Sequence, residues 1–306
     1  MAHPPWAGNP PASDPSRPPS RQATQTKLTE ENNLATLTPF YADDTVELYH
    51  ADCRDLLPQL PGDLIVTDPP YEQTSLRWDR WPAGWLDAAA ACSSALWCFL
   101  PLRQFATKPY RGREFAAAGW RLSQDLEPDL GYSADHLTWE KHNGSGFAAD
   151  RFRRVHETVT HWYRDAWAET THQVPTIPGT ERPTATIGHR RAPTHTSPIG
   201  SAGYTYGPTR LARSIIRARS LHGTAIHPTQ KPVEVLDLLI RYGSPTGGIV
   251  VDPFAGSGSV GIAARAAGRR AILIEADAQH CQQAAAWLAA TRHHPRPDST
   301  ASPRSR

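Results

Sequence analysis

Hydrophobic positions along the chain fall into two patterned blocks separated by a stretch with no period. In the first block "TVELYHAD" alternates as a half-buried strand would, "CRDLLPQL" reads as a short helix, and "GDLIVTD" is a continuous apolar run that stops at two prolines. "AGWLDAAAACSSAL" has helical composition, "ALWCFLP" is the next apolar strand, "FAAAGWRLSQDLEPD" repeats helix then strand, and "HLTWEKH" and "HETVTHWYR" add two short strands. The second block opens with "HPTQKPVEVLDLLIRYGSPTGG". Here Val233, Leu236, Leu239 and Ile240 recur at helical spacing between Pro232 and Gly243, residues that helix boundaries prefer. "GIVVDPF" then reads as a strand, "SVGIAARAAG" as a helix, "RRAILIEAD" as a strand and "AQHCQQAAAWLAATR" as a closing helix. Strands alternating with helices predict an α/β fold, a mostly parallel doubly wound sheet.

The same pattern divides the chain. Residues 1–38 and 293–306 are Pro-, Ser- and polar-rich with hardly any apolar spacing, which predicts disordered tails. Residues 39–164 form one half of the patterned region and 223–292 the other. Between them, 165–222 is rich in Thr, Pro, Gly, Arg and His, and an insert of that length inside a compact domain is usually functional or disordered.

At 306 residues and 39% hydrophobic content the chain supports a sizeable core, and its formal charge of +2 names no partner. The distribution is more informative. Residues 151–220 hold 11 arginines and no lysine against 4 acids, so this segment is near +7 and the remainder near −5. Such clustering is the footprint of a polyanion partner, although a solvated basic loop would look the same. No stretch reaches the roughly 18 apolar residues of a membrane span, and no apolar leader opens the chain, so a cytoplasmic protein is expected. Cys53, Cys92, Cys98 and Cys281 lack any C-x-x-C pair and read as reduced, buried thiols. The 14 histidines are scattered, and no metal is expected.

Two turns carry chemistry. In "VVDPFAGSGSVGIAAR" Gly256, Gly258 and Gly261 have G-x-G-x-x-G spacing between a predicted strand and a predicted helix, and Glu275 ends the next strand. Glycines permit a tight turn and close ligand approach, while the acid accepts from ribose hydroxyls, which suits a nucleoside-containing cofactor. A pyrophosphate would want the bare positive helix end, whereas Asp252 leading into this turn suits a ligand bearing an amine or a sulfonium, as S-adenosylmethionine does.

"TDPPY", residues 67–71, ends a buried strand with an acid, two prolines and a phenol. An exocyclic amine on a nucleobase is a poor nucleophile because its lone pair is delocalised, so its hydrogens must be held by acceptors. Asp68 offers a carboxylate and Pro69 a carbonyl, on a turn that Pro69 and Pro70 stiffen without adding competing donors. Tyr71 adds a π-face on which an extruded base can stack, offsetting part of the few kcal/mol that extrusion costs.

"TDPPY", "DPFAGSGSVG" and "HPTQKP" together resemble the amino methyltransferases of DNA, and their order, catalytic motif first and cofactor motif last, resembles the β class. The resemblance spans roughly residues 44–290. It implies a circularly permuted Rossmann-like sheet with helices on both faces and a target-recognition region between the halves, where the basic insert lies. Carried over by position, it implies a catalytic turn of Asp68, Pro69, Pro70 and Tyr71. It also implies a cofactor site of Asp52, Thr229, Lys231, Asp252, Phe254, Gly256, Gly258 and Glu275, with Glu275 on the ribose, Asp52 near the adenine, and Thr229 and Lys231 closing over the methionine moiety. At Asp52 the preceding residue departs from the family pattern: Ala51 stands where Gly is usual. "LRWDRW", with Trp78 and Asp79, resembles a loop that covers the target in several members, against which stands ordinary loop packing for Trp78 and Trp81. His227 reads as a helix-entry residue without chemistry, and the pair His156 and Glu157 has no role derivable from sequence.

In the family, Asp before Pro-Pro-Tyr goes mostly with adenine N6 and Ser with cytosine N4, so the expected reaction is N6-adenine methylation, with N4-cytosine as the alternative. Double-stranded DNA is the expected partner, with Arg190, Arg191, Arg210, Arg213, Arg217 and Arg219 as contacts to phosphate or guanine. A homodimer and a restriction endonuclease partner are left open. From other classes, an NAD-dependent oxidoreductase would share the glycine turn but leaves "TDPPY" unexplained, and an inactive DNA-binding module would not need the motifs intact.

Overall fold

The computed structural model describes residues 38–101, 104, 111–122, 137–141, 150, 152–153, 155–178, 209–221 and 223–292. The expected tails, apart from Thr38, and residues 179–208 of the expected insert lie outside them.

One sheet organises the molecule. Its strands are β1 (Tyr41–Ala42), β2 (Val46–His50), β3 (Leu64–Thr67), β4 (Ala95–Phe99), β5 (Arg121–Leu122), β6 (Leu137–Lys141), β7 (His156–Tyr163), β10 (Ile215–Ala218), β11 (Ile249–Asp252) and β12 (Arg270–Glu275). β8 (Thr176–Pro178) and β9 (Thr209–Leu211) make a separate antiparallel pair. The spatial order is β1-β2-β12-β11-β3-β4-β7-β6-β10, with β5 beside β7. The centre, β2-β12-β11-β3-β4, is parallel throughout. β7 runs antiparallel to both β4 and β6. All residues of β3 and β4 are buried, which requires cover on both faces of the sheet.

The helices are α1 (Cys53–Leu56), α2 (Trp85–Cys92), α3 (Arg111–Ala117), α4 (Val233–Gly243), α5 (Ser259–Ala266) and α6 (Ala278–Ala290). On α4 the apolar stripe Val235, Leu236, Leu239 and Ile240 is fully buried. Each such side chain contributes about 1.5–3 kcal/mol by burial. Gly243 closes α4 where a Cβ would stand 2.9 Å from Leu64, so the helix end approaches β3 more closely than any other residue permits. None of the described helices is long and apolar enough to cross a membrane, and the four cysteines are buried.

The expected elements are present among the described residues, with one correction. Ile215–Ala218, assigned from sequence to the insert, is the edge strand of the main sheet. It pairs in parallel with β6 and buries Ile216 and Ala218, a period-two signal too short to stand out among its arginines. Of the strand expected after α3, Arg121–Leu122 is described, and the residues that follow lie outside the described ones.

From β3 the chain crosses through α2 to β4 on one side, and from β11 through α5 to β12 on the other. Their carboxyl ends therefore flank the point where the winding reverses, the crevice in which open α/β sheets bind ligands. "TDPPY" leaves the end of β3 and the glycine turn leaves the end of β11, so two segments far apart in sequence meet there.

Candidate active site

Two cavities open at this crevice. The larger, about 390 Å³, is lined by Asp68, Tyr71, Phe99, Trp139, Lys141, Glu157 and residues of the segment 225–231. The smaller, about 30 Å³, is lined by Thr67, Asp68, His227, Asp252, Phe254, Gly256, Ser257 and their neighbours. Asp68, Phe99, Thr229, Gln230 and Lys231 line both and form the wall between them.

Asp68 is held from two sides. Its Oδ1 accepts from the Tyr71 hydroxyl, which also contacts the Phe99 carbonyl, and its Oδ2 accepts from Lys231 Nζ. Burial raises the Asp68 carboxyl, Lys231 opposes that and Glu157 adds to it. Burial would lower Lys231, but the carboxylates of Asp68 and Glu157 outweigh it and keep the ammonium charged. Glu157 Oε2 stands 3.5 Å from Lys231, and its other oxygen pairs with Lys141.

The loop after the catalytic turn is wound around one carboxylate. Asp79 is buried; its Oδ1 accepts from the amides of Tyr71 (2.7 Å) and Glu72 (2.8 Å), and its Oδ2 from those of Gln73 (2.8 Å) and Thr74 (2.7 Å) and from the Thr74 hydroxyl (2.9 Å). Successive amides converging on an anion form a nest. Burial pushes the Asp79 carboxyl up, but the hydrogen bonds from Thr74, Gln73 and Tyr71 prevail and hold it below the usual range. The nest also offsets the left-handed backbone of Glu72, at φ 57°, a conformation costing a non-glycine residue about 1–2 kcal/mol.

On the other side, Asp252 Oδ1 accepts from the Thr67 hydroxyl at 2.8 Å and from the Phe254 amide at 3.1 Å. Burial pushes its carboxyl up to about 7 against these hydrogen bonds, with Asp68 and Glu275 adding to the rise. Gly256 has φ +50°, and a Cβ there would stand 3.2 Å from the ring of His227; its amide donates to Glu275 Oε2 at 2.8 Å. Glu275 thus sits behind the turn and outside the cavity lining, with Oε1 taken by the Asp277 amide at 2.9 Å. Gly258 has φ +79°, and a Cβ there would face Ala284 and Leu288 of α6 at 3.4 Å. Gly261 brings α5 close to β12, where a Cβ would be 2.9 Å from Leu273.

The remaining expected site residues among the described ones lie outside these two linings. Trp78 packs beside the cofactor turn rather than over the larger cavity: its ring centroid is 5.6 Å from His227 and 6.2 Å from His280. Trp81 is buried, donating to Glu114 at 2.7 Å beneath the Arg111 guanidinium. Asp52 caps α1 and pairs with Arg54 at 2.5 Å, at the carboxyl end of β2 and outside both cavity linings. Arg210, Arg213 and Arg219 are exposed, and Arg217 pairs with Glu140 at 2.9 Å. Arg190 and Arg191 lie outside the described residues.

Sequence reasoning gave no site role to Glu157, Lys141, Trp139 and His227. Register explains the first three: β6 and β7 set Trp139 opposite Glu157, and no local pattern announces which strand faces a cavity. His227 is buried and lines the smaller cavity, its Nδ1 3.3 Å from the Thr229 amide. Burial, with His280 and Lys231 adding, lowers it to about 4, so it is neutral near pH 7.

A reversing α/β sheet with an acidic, proline-bounded turn facing a glycine turn across a shared wall defines a nucleotide-handling group-transfer enzyme. Residues 62–286 match the DNA methylase family of N6 and N4 amino methyltransferases, and the chain belongs to that family. Among curated relatives, the type II methyltransferase M.ScaI of Streptomyces caespitosus is 25% identical over 250 residues, 78% of this chain and 79% of that one. Among solved structures, the M1.HpyAVI–SAM complex superposes with a TM-score of 0.54 at 20% identity, over 79% of this chain and 100% of that one. The cytosine-N4-specific PvuII DNA methyltransferase gives 0.53 at 15% identity, over 81% and 88%. Family membership removes the oxidoreductase alternative.

The residues present fit S-adenosylmethionine. Asp68 and Asp252 in the lining, with Glu275 behind Gly256, make a carboxylate-rich cradle suited to a cationic ligand and hostile to a pyrophosphate.

Proposed function

We propose that the protein methylates the exocyclic N6 of an adenine flipped out of double-stranded DNA, using S-adenosylmethionine. The observation that carries this reading is that Asp68 lines both cavities, so the carboxylate able to hold a base amine also faces the cofactor side. When bound, the cofactor supplies a methyl group on a sulfonium, an activated one-carbon donor.

The chain's own residues do the rest. Asp68 accepts from the amine hydrogens, and Pro69 and Pro70 stiffen the turn that carries it. The Tyr71 ring, fixed through its hydroxyl, offers the stacking face, and the 390 Å³ cavity gives the base room. Asp252 holds the cationic end of the cofactor, Gly256 lets it approach the backbone, and Phe254, Thr229 and Lys231 wall the site. Glu275 serves the ribose and Asp52 the adenine end, from the adjacent ends of β12 and β2. The exposure of Arg210, Arg213 and Arg219 supports their role as DNA contacts. The ring contacts of Trp78 with His227 and His280 support a place for it on the cofactor side.

Adenine is favoured over cytosine by Asp68 preceding Pro-Pro-Tyr; the fold likeness to a cytosine-N4 enzyme keeps N4-cytosine as the second reading. DNA from an expressing host, digested to nucleosides, is expected to contain N6-methyladenine. N4-methylcytosine alone would transfer the reading to cytosine, and no methyl incorporation at all would leave a DNA-binding module with an idle core.

A further inference from the structure

The ammonium of Lys231, a residue expected over the methionine moiety, stands in the wall between the two cavities, on Asp68. That wall is where a methyl group must pass from the cofactor side to the base side. The ammonium is nearly enclosed: side-chain exposure is 10% for Lys231 and 12% for Asp68. It also lies 4.9 Å from the Phe99 ring centroid and 3.2 Å from the Thr229 carbonyl. A second carboxylate, Glu157, waits at 3.5 Å and is itself balanced by Lys141. Lys231 therefore has two anionic berths, one at the reacting wall and one on β7, away from the smaller cavity, whose lining Glu157 does not join.

S-adenosylmethionine carries a positive sulfur and S-adenosylhomocysteine a neutral one, while the rest of the two molecules is the same apart from the methyl group. Two cations close to one carboxylate in a poorly solvated site repel strongly. We propose that Lys231 is a movable counter-ion that competes with the cofactor's sulfonium for Asp68, and that Glu157 receives the ammonium when the charged cofactor binds. This rests on the methyltransferase reading and deepens it: Lys231 and Glu157 are positioning residues that set the preference between charged and spent cofactor.

The test is the ratio of dissociation constants for S-adenosylmethionine and S-adenosylhomocysteine, measured by calorimetry on the parent, Lys231→Met and Glu157→Gln proteins. About pH 8.5 is chosen because high pH favours the ionised form of Asp68, whose carboxyl burial raises. Lys231→Met should shift the ratio toward the charged cofactor by at least about tenfold, since the carboxylate is freed for the sulfonium. Glu157→Gln should shift it the other way, because the ammonium loses its alternative berth. Retained S-adenosylhomocysteine affinity shows in each variant that the site is folded. A ratio within about twofold of the parent in either variant, or a shift in the same direction in both, overturns the proposal. A parent protein that binds neither molecule overturns the cofactor reading itself.

Discussion

The Thr67 hydroxyl donates to Asp252 Oδ1 at 2.8 Å, across 185 residues of sequence. This bond ties the end of β3, which leads into the Asp68–Tyr71 turn, to the end of β11, which leads into the glycine turn. It is buried, and it fixes the spacing of two carboxylates, Asp68 and Asp252, whose positions decide what can pass between the cavities. Four consequences can be measured.

Asp68→Ala removes the acceptor proposed for the base amine while leaving the glycine turn intact. Methyl incorporation should fall at least about a hundredfold. S-adenosylhomocysteine affinity by calorimetry should change by less than about threefold, since that ligand carries no charge at sulfur.

Tyr71 contributes a ring and a hydroxyl, and the structure separates them. Tyr71→Phe keeps the stacking face but releases the contacts to Asp68 and the Phe99 carbonyl; Tyr71→Ala loses both. Single-turnover rates should therefore fall in the order parent, Phe, Ala. The step from Phe to Ala should be worth about 1–3 kcal/mol, the usual range for base stacking. Equal losses in both variants would argue against stacking.

Asp252 links cofactor binding and stability to pH. Its folded-state pKa of about 7 lies above the ordinary 3.8, so between these values the folded chain holds a proton that the unfolded chain has lost. The stability this group contributes is present below about pH 4 and is lost as pH rises through about 7. Asp252→Asn should accordingly gain stability over the parent at about pH 8 relative to about pH 5, read by denaturant unfolding without ligand. A cationic cofactor wants the ionised form, so S-adenosylmethionine affinity should rise from about pH 6 to 8 in the parent and lose that dependence in Asp252→Asn.

Asp79 gathers four consecutive backbone amides and one hydroxyl. Asp79→Ala leaves them to solvent and frees Glu72 from its left-handed conformation. The loop 71–79 should become a site of proteolytic cleavage, and methyl transfer should fall at least about tenfold through misplacement of Tyr71. Stability should drop by about 2 kcal/mol. Limited proteolysis and thermal unfolding check the two structural outcomes.

Much of this protein is written locally. Period and composition alone predict β2, β3, β4, β11 and β12 and the helices between them, because a buried parallel strand must be apolar throughout and its covering helix must carry an apolar stripe. The two chemical turns are equally legible: prolines after β3 and glycines after β11 are backbone requirements that few other residues meet. Sequence also fixed Asp252 beside the glycine turn, where its charge argues for a cationic ligand.

What only tertiary structure decided are the relations across the sheet. Whether Glu157 faces a cavity depends on the register of β7 against β6, and Lys231 reaches Asp68 only because the segment before α4 folds over the end of β3. Trp78 goes to His227 rather than to the larger cavity because Asp79, one residue on, is pulled inward by the amides of 71–74. Strand pairing, buried ion pairs and nest geometry join residues tens to hundreds of positions apart. Their energy depends on distance in space and on exclusion of water, and neither leaves a period along the chain.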